Sequence, residues 1–262
     1  MPEHFDLEIF RRKHFDYRDG HHVAFFGPTQ LAGKTTTAYQ LLDVVTSDER
    51  PAVTLCMKHR DRTIARFTRE LGFRETPSWP PARKFSEIRA LGGTPPRGHT
   101  LWPPQTLTNV EADNARLEAE FTRAITWNRG HTPSITHANE LYGLIAELNL
   151  RRLLTAVVTR DSVAGHGLWY ESQKPSGTQG VSIPGFFFNS AEHMFLSRDG
   201  EERNRRRYGE IGCGINESEI ERQTLKLDPF SWLYIRRGSS NPNHHSGPEW
   251  CIVDAFDERL AA

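Results

Sequence analysis

The feature that most constrains this chain is a glycine-bounded loop, followed at once by a lysine and three threonines. It fits the pattern G-x-x-x-x-G-K-[ST] and comes directly after an apolar run at 22–26 that is typical of a strand. Beyond the loop, apolar residues recur at Ala38, Leu41, Leu42 and Val45, which is the spacing of one helix face. Strand, glycine-rich turn and helix in this order predict a cradle whose backbone N–H groups bind a phosphate.

The loop therefore predicts a site for a nucleoside triphosphate and Mg²⁺. We expect Lys34 to reach the β- and γ-phosphates and the Thr35 hydroxyl to ligate Mg²⁺. The predicted nucleotide-binding residues are Gly27, Pro28, Thr29, Gln30, Leu31, Ala32, Gly33, Lys34, Thr35 and Thr36. Kinases, GTPases and motor ATPases all share such a loop, so the reaction must be inferred from other residues.

Strand-like and helix-like segments alternate along most of the 262 residues. Further strands are predicted at 52–57, 100–102, 134–138, 168–172, 193–196, 230–235 and 250–253, with helices at 61–71, 110–130 and 141–148. This alternation predicts an α/β fold with a mostly parallel central sheet and helices on both faces. We expect one domain over 1–262, with an irregular proline- and glycine-rich excursion at 77–104 and a loop at 236–249.

A polar pair follows the predicted strand at 134–138 and suggests a hydrolytic site. Motor ATPases usually carry Asp-Glu there: the first residue holds Mg²⁺ through water, and the second activates the attacking water. Here the pair is Asn139 and Glu140, so the metal-side residue can accept a hydrogen bond but brings no negative charge. We predict Asn139 at the metal and Glu140 as the general base. Alternatively, Asn139 only caps the next helix and Glu140 lies in its first turn.

A third polar position lies at the end of the strand predicted at 168–172. Gln173 comes directly after it, and Pro175 stops the strand there. If this strand lies beside that of the phosphate loop, the Gln173 amide faces the γ-phosphate. We therefore predict that Gln173 orients the attacking water and senses the phosphate.

Composition excludes several classes of protein. Lys plus Arg and Asp plus Glu both number 33, so the chain is not a bulk-basic nucleic-acid coat protein. No apolar run approaches the roughly 20 residues that span a bilayer, so we expect no membrane association. Cys56, Cys213 and Cys251 lie far apart, which argues against a zinc site or disulfides and suits the cytoplasm. The histidine pairs at 21–22 and 244–245 are expected to be solvated.

Taken in order, these segments resemble the FtsK/HerA superfamily of P-loop DNA motors, and within it the small single-domain ATPases of actinobacterial phages. The resemblance spans roughly 20–234 and rests on 23–37, 53–61, 101–103, 139–142, 171–176, 183–185 and 191–199. It implies a RecA-like (ASCE) P-loop fold, ATP with Mg²⁺, and a ring of identical subunits around double-stranded DNA. For a phage protein it implies portal or capsid partners in the host cytoplasm. The chain departs from the family pattern at Asn139.

The resemblance also implies that an arginine from the neighbouring subunit completes each nucleotide site. Arg160, between the Asn139-Glu140 pair and Gln173, matches the family's arginine at that place. Arg198 and Arg203 are alternatives, although Arg203 lies in the dense charge run 201–207, which is typical of a solvated helix face. The arginines of this run and the polar stretch 236–246 are the candidate DNA contacts.

The leading hypothesis is an ATP-driven double-stranded DNA translocase, most specifically the genome-packaging motor of a phage. One alternative is the ATPase subunit of a split terminase whose nuclease is another chain. A nucleoside or small-molecule kinase shares the P-loop and this length. Finally, the neutral Asn139 suggests a scaffold that binds nucleotide without hydrolysing it.

Overall fold

The computed structural model describes residues 2–28, 32–81, 85–173, 182–209, 215–237 and 249–255. The strands in these ranges are β1 (Glu3–Asp6), β2 (Val23–Phe26), β3 (Ala52–Leu55), β4 (Arg74–Thr76), β5 (Gly98–Leu101), β6 (Ser134–Ala138), β7 (His166–Ser172), β8 (His193–Ser197), β9 (Ser231–Arg236) and β10 (Trp250–Asp254). The helices are α1 (Leu7–Lys13), α2 (Lys34–Val45), α3 (Arg62–Glu70), α4 (Phe85–Ala90), α5 (Val110–Arg129), α6 (Leu141–Ala146), α7 (Arg151–Ala156), α8 (Gly185–Ser190), α9 (Glu202–Gly209) and α10 (Glu217–Lys226). A π-helical turn (Val157–Asp161) and a 3-10 turn (Ser162–Ala164) follow α7.

The chain forms two compact units. The first contains Met1–Arg18, His22–Val44 and Glu171–Ala262, and the second contains Asp19–His21 and Val45–Tyr170. The expectation of a single domain over 1–262 therefore stays a prediction. Strand β7 begins in the second unit and ends in the first, so its last two residues, Glu171 and Ser172, belong with the phosphate loop.

In the first unit the hydrogen-bonded strand order is β1-β10-β9-β8-β2. Strand β1 runs parallel to β10 and β2 runs parallel to β8, whereas β9 is antiparallel to both of its neighbours. The four residues of β2 are all buried, as expected for a continuous apolar strand. Helix α2 is tied to this sheet by the Trp232 indole N–H, which donates to the Thr37 hydroxyl at 3.1 Å.

In the second unit the order is β7-β6-β3-β5-β4, and every pair is parallel. Strands β3, β5 and β6 are buried along their whole length although they carry polar residues. Those residues bond to one another across the sheet: Thr54 with His137 at 3.2 Å, and Thr136 with His166 at 2.9 Å. Parallel strands joined through helices confirm the predicted α/β class.

Several sequence-based expectations need correction. The excursion at 77–104 contains the short helix α4, and its strand is Gly98–Leu101 instead of 100–102. Arg236, the first residue of the predicted 236–249 loop, is the last residue of β9, and 238–248 lie outside the described residues. His22 is only 1% exposed, so its predicted solvation is wrong, and 244–245 lie outside the described residues.

The structure also contains elements that the sequence patterns did not predict. These are β1, α1, β4, α4, α7, α8 and α10. Two of them, β1 and β4, lie at the ends of the strand orders, where polar residues are tolerated better than in a central strand. Within the described residues, no helix combines the length and the apolar character that crossing a bilayer requires.

Candidate nucleotide-binding site

The phosphate loop lies where the sequence predicts it, between β2 and α2. Gly27 and Pro28 follow the strand directly, and Ala32 and Gly33 precede Lys34, the first residue of the helix. The predicted binding residues Thr29, Gln30 and Leu31 lie outside the described residues. Gly33 has a φ of 68°, in the left-handed region that glycine adopts at little cost, so the second glycine of the motif is needed for the turn into α2.

Gly27 is required for a different reason, which is close packing. A Cβ added at this position would lie 2.0 Å from the Ser197 hydroxyl oxygen and 2.8 Å from the Ala32 Cβ. Its backbone N–H donates to the Ser172 carbonyl at 3.1 Å, so it cannot shift without breaking that bond. The first glycine of the motif therefore lets the loop leave β2 between the ends of β7 and β8.

We expect Gly27→Ala to lower the free energy of unfolding by about 1–3 kcal/mol, because the new methyl group overpacks this junction. For a chain of this size that predicts a fall in Tm of several degrees, on the order of 2–4 °C per kcal/mol. Thermal unfolding measures this fall in Tm. Gly200→Ala is the matched control, since a Cβ there would meet nothing within 4 Å. Equal Tm values for the two variants would contradict the packing described here.

Lys34 places a positive charge over the loop. Its ammonium Nζ donates to the carbonyl oxygens of Gly27 at 2.7 Å and Pro28 at 3.0 Å. The Thr37 N–H donates to the Gly33 carbonyl at 2.9 Å, so α2 begins directly at the loop and its N-terminus faces it. An ammonium group together with the positive end of a helix fits a phosphate anion.

Thr35, the predicted Mg²⁺ ligand, contacts a carboxyl group that we did not predict at this site. Its hydroxyl donates to Oε2 of Glu171 at 2.8 Å. Glu171 lies on β7 and is only 1% exposed. In the sequence Glu171 stands out only as part of the motif at 171–176, because no local pattern shows that β7 lies beside the loop.

The described residues fit the metal site of a nucleotide better than a metal cage of their own. Nowhere in the described ranges do three or more His, Cys, Asp or Glu side chains gather as a metal-ion cluster. Mg²⁺ is usually held by one or two protein oxygens together with substrate phosphates and waters. The Thr35 hydroxyl beside a buried carboxyl group suits that mode of binding.

Asn139 and Glu140 lie in the second unit, directly after β6 as predicted. Asn139 is only 1% exposed, and Glu140 is partly exposed. The N-cap residue of α6 is Glu140, which makes no side-chain capping bond, and its carbonyl accepts from the Leu144 N–H at 3.2 Å. The alternative in which Asn139 is the helix cap is therefore wrong, and Glu140 precedes the first turn.

The other predicted site residues, Gln173 and Arg160, lie in the first and the second unit respectively. Gln173 is partly exposed and follows the last residue of β7. Arg160 is exposed on the π-helical turn, next to Asp161, whose carboxylate binds Arg129 at 2.5 and 3.1 Å. The hydrogen bond to Asp161 raises the pKa of Arg129, so this neighbouring guanidinium stays charged.

The arginine-rich run forms helix α9, as its charge pattern indicated, but three of its arginines make local contacts. Arg205 donates to the Asp199 carbonyl and Arg207 to the Ile183 carbonyl, each at 3.0 Å. Arg206 forms an ion pair with Glu202 one turn earlier. Arg203 and Arg198 are exposed. Much of this run therefore has a structural role.

No protein-family model matches the chain, and no curated protein matches it. It is similar in structure to the genome packaging NTPase B204 from Sulfolobus turreted icosahedral virus 2 in complex with sulfate. The TM-score is 0.59 at 10% sequence identity, over 90% of this chain and 97% of that chain. For the same protein in complex with AMPPCP, the TM-score is 0.58 at 10% identity, over 91% and 99%.

A third similar structure is B204, the DNA-packaging ATPase from Sulfolobus Turreted Icosahedral Virus. The TM-score is 0.55 at 10% identity, over 92% of this chain and 100% of that chain. The coverage shows that the whole neighbouring fold is present here. At this level of identity the likeness establishes the fold, and it confirms the predicted α/β P-loop NTPase class.

Proposed function

We propose that this chain is an ATP-driven double-stranded DNA translocase that works as a ring of identical subunits, most specifically a phage genome-packaging ATPase. The observation that carries the proposal is the phosphate loop: Lys34 and Thr35 stand at the start of α2 beside the buried Glu171. This loop belongs to a fold shared, over nearly its full length, with viral packaging NTPases. Portal or capsid proteins are the proposed docking partners, in the host cytoplasm.

ATP is the proposed substrate and Mg²⁺ its companion ion. Lys34 would bind the β- and γ-phosphates as a point charge, and the helix N-terminus would contribute its N–H groups. Thr35 would hold the metal through its hydroxyl, with Asn139 as the second, neutral residue proposed there. When bound, Mg²⁺ supplies positive charge that offsets the charge developing on the phosphate oxygens.

The remaining steps are assigned to this chain's own residues. Glu140, a partly exposed carboxylate, would accept the proton of the attacking water. Gln173 would orient that water through its amide. Arg160, exposed on the π-helical turn, would reach the site of a neighbouring subunit and stabilise the transition state.

Zero net charge is compatible with a DNA partner. A ring multiplies the phosphate contacts of each subunit, so a few exposed cations per chain suffice. A second candidate is a nucleotide-gated scaffold that does not hydrolyse ATP. It is favoured by one observation: Asn139, the residue proposed at the metal, carries no charge. The buried Glu171 beside Thr35 speaks against it, because a carboxyl group is present at the metal ligand after all.

Measuring ATP turnover with and without duplex DNA tests the proposed function. We expect duplex DNA to stimulate turnover several-fold, and the stimulation to fall steeply as salt rises, because binding to phosphates releases counterions. A nucleoside and single-stranded DNA are the matched alternative ligands. Stimulation by a nucleoside alone would indicate a kinase, and ATP binding without turnover under any condition would indicate the scaffold.

A further inference from the structure

We infer that Glu171 positions the metal ligand Thr35, and so supplies the carboxylate that this chain lacks at Asn139. The inference rests on the proposed nucleotide-binding function and deepens it. The sequence pattern assigns the supply of negative charge near the metal to the residue before Glu140, whereas here a residue on β7 would supply it. Glu171 would act through Thr35, so it is a positioning residue.

The first support is the hydrogen bond itself. A threonine hydroxyl has one proton and two lone pairs. In this structure the Thr35 proton is donated to Glu171 over 2.8 Å, within the normal range for such bonds. A hydroxyl whose proton is committed in this way keeps its lone pairs for a cation, and Mg²⁺ prefers oxygen lone pairs. Bonds of this kind are the usual means by which proteins orient metal ligands.

The second support is burial. Glu171 is 1% exposed in a strand whose preceding residues, Leu168, Trp169 and Tyr170, are all fully buried. A carboxylate in such surroundings is costly unless hydrogen bonds or positive charge compensate it. Asn139 is equally buried, but its amide is neutral and attracts a cation far less. Of these two side chains, only Glu171 brings negative charge.

The third support is that Thr35 and Glu171 both lie at the phosphate loop. The Gly27 N–H donates to the carbonyl of Ser172, the residue after Glu171, at 3.1 Å. The same stretch holds the Lys34 ammonium through the Gly27 and Pro28 carbonyls. One short segment of the first unit thus presents an ammonium group for phosphate and a hydroxyl–carboxyl pair for a cation. Glu171 is part of the nucleotide-binding structure.

The test measures metal binding separately from turnover. Glu171→Gln keeps the size of the side chain and removes its charge. With AMPPCP bound, the affinity for Mn²⁺, followed by electron paramagnetic resonance, should fall about 10- to 100-fold. In EDTA the affinity for AMPPCP should stay the same or rise, because a negative charge near the phosphates is gone. A merely structural role would weaken both, and an unchanged Mn²⁺ affinity overturns the inference.

Glu192→Gln is the matched control in the same unit. Its carboxyl group also accepts a hydrogen bond, in this case from the His22 backbone N–H at 2.6 Å, yet it belongs to no predicted metal site. We expect the Mn²⁺ affinity of this variant to equal that of the wild type. An equal loss in both variants would show that neutralising a glutamate elsewhere in this unit is sufficient, and would overturn the inference.

A double-mutant cycle tests whether Glu171 acts through Thr35. If it does, Mn²⁺ affinity in Thr35→Val plus Glu171→Gln should be within about twofold of that in Thr35→Val alone, since coupled residues are not additive. Additive losses overturn the positioning role. If Glu171→Gln does not fold, Glu171→Asp keeps the charge and should lose several-fold in Mn²⁺ affinity, with AMPPCP affinity in EDTA unchanged. Wild-type protein that binds no AMPPCP at all overturns the proposed function itself, and this inference with it.

Discussion

Replacing Lys34 with alanine is expected to reduce ATP turnover by at least about a hundredfold, the usual cost of removing one preorganised charge at a reacting phosphate or carbonyl. The ammonium group is held over the loop by the carbonyl oxygens of Gly27 and Pro28, so it is already placed for a phosphate. Lys34 is partly exposed and fills no cavity in the core, so the fold should remain intact. Steady-state turnover and thermal unfolding together measure the two effects.

The matched control for this prediction is Lys13→Ala, which removes an exposed lysine from the last turn of α1 in the same unit. Its turnover should equal that of the wild type. Undiminished turnover in Lys34→Ala would show that the loop does not bind the reacting phosphates. A large fall in Tm in that variant would show instead that the lysine supports the loop structurally through its two carbonyl contacts.

The sequence predicted two of the buried strands best. Strand β6 was predicted with its observed bounds, Ser134–Ala138, and β2 to within one residue. For β2 the reason is physical: a strand buried on both faces can be a short continuous apolar run, and a turn follows it. The start of α2 was predictable because the phosphate loop has two glycines at a fixed spacing, followed by a lysine and a threonine.

The prediction of β5 missed its first two residues. The strand was placed about two residues late, yet Gly98 and His99 are both buried strand residues. Gly98 is needed because a Cβ there would lie 2.5 Å from the Phe73 ring. His99 is buried against Thr76, with burial lowering its pKa to about 4. Such requirements come from neighbours distant in sequence.

Glu171 likewise could not be predicted from local sequence as a residue beside Thr35. It bonds to Thr35, which lies 136 residues earlier in the chain, and only the pairing of strands brings the two together. A single buried glutamate in an apolar strand carries no local signature of metal chemistry. The sequence therefore indicated the phosphate loop and the polar strand ends, whereas the carboxyl group at Thr35 required the structure.

Arg160→Ala protein is expected to bind ATP normally but to hydrolyse it on the order of a thousandfold more slowly, if Arg160 completes the site of a neighbouring subunit. Arg160 is exposed on the π-helical turn, so removing its side chain should leave the fold intact. Arg152→Ala, which removes another exposed arginine one helix earlier, is the matched control and should keep wild-type turnover. Nucleotide binding and turnover are measured for both variants.

Mixing two inactive proteins shows whether the arginine acts in trans. Arg160→Ala retains Glu140, and Glu140→Gln retains Arg160, so some interfaces of a mixed ring pair an intact base with an intact arginine. In a random one-to-one mixture of a head-to-tail ring, about a quarter of the interfaces have this pairing, so partial activity should return. An arginine acting within its own subunit gives no rescue. Mixed assembly is verified independently by co-purification of two different tags. Confirmed mixing with no recovery of turnover would exclude Arg160 as the trans arginine and direct the same experiment to Arg198 and Arg203, which are also exposed.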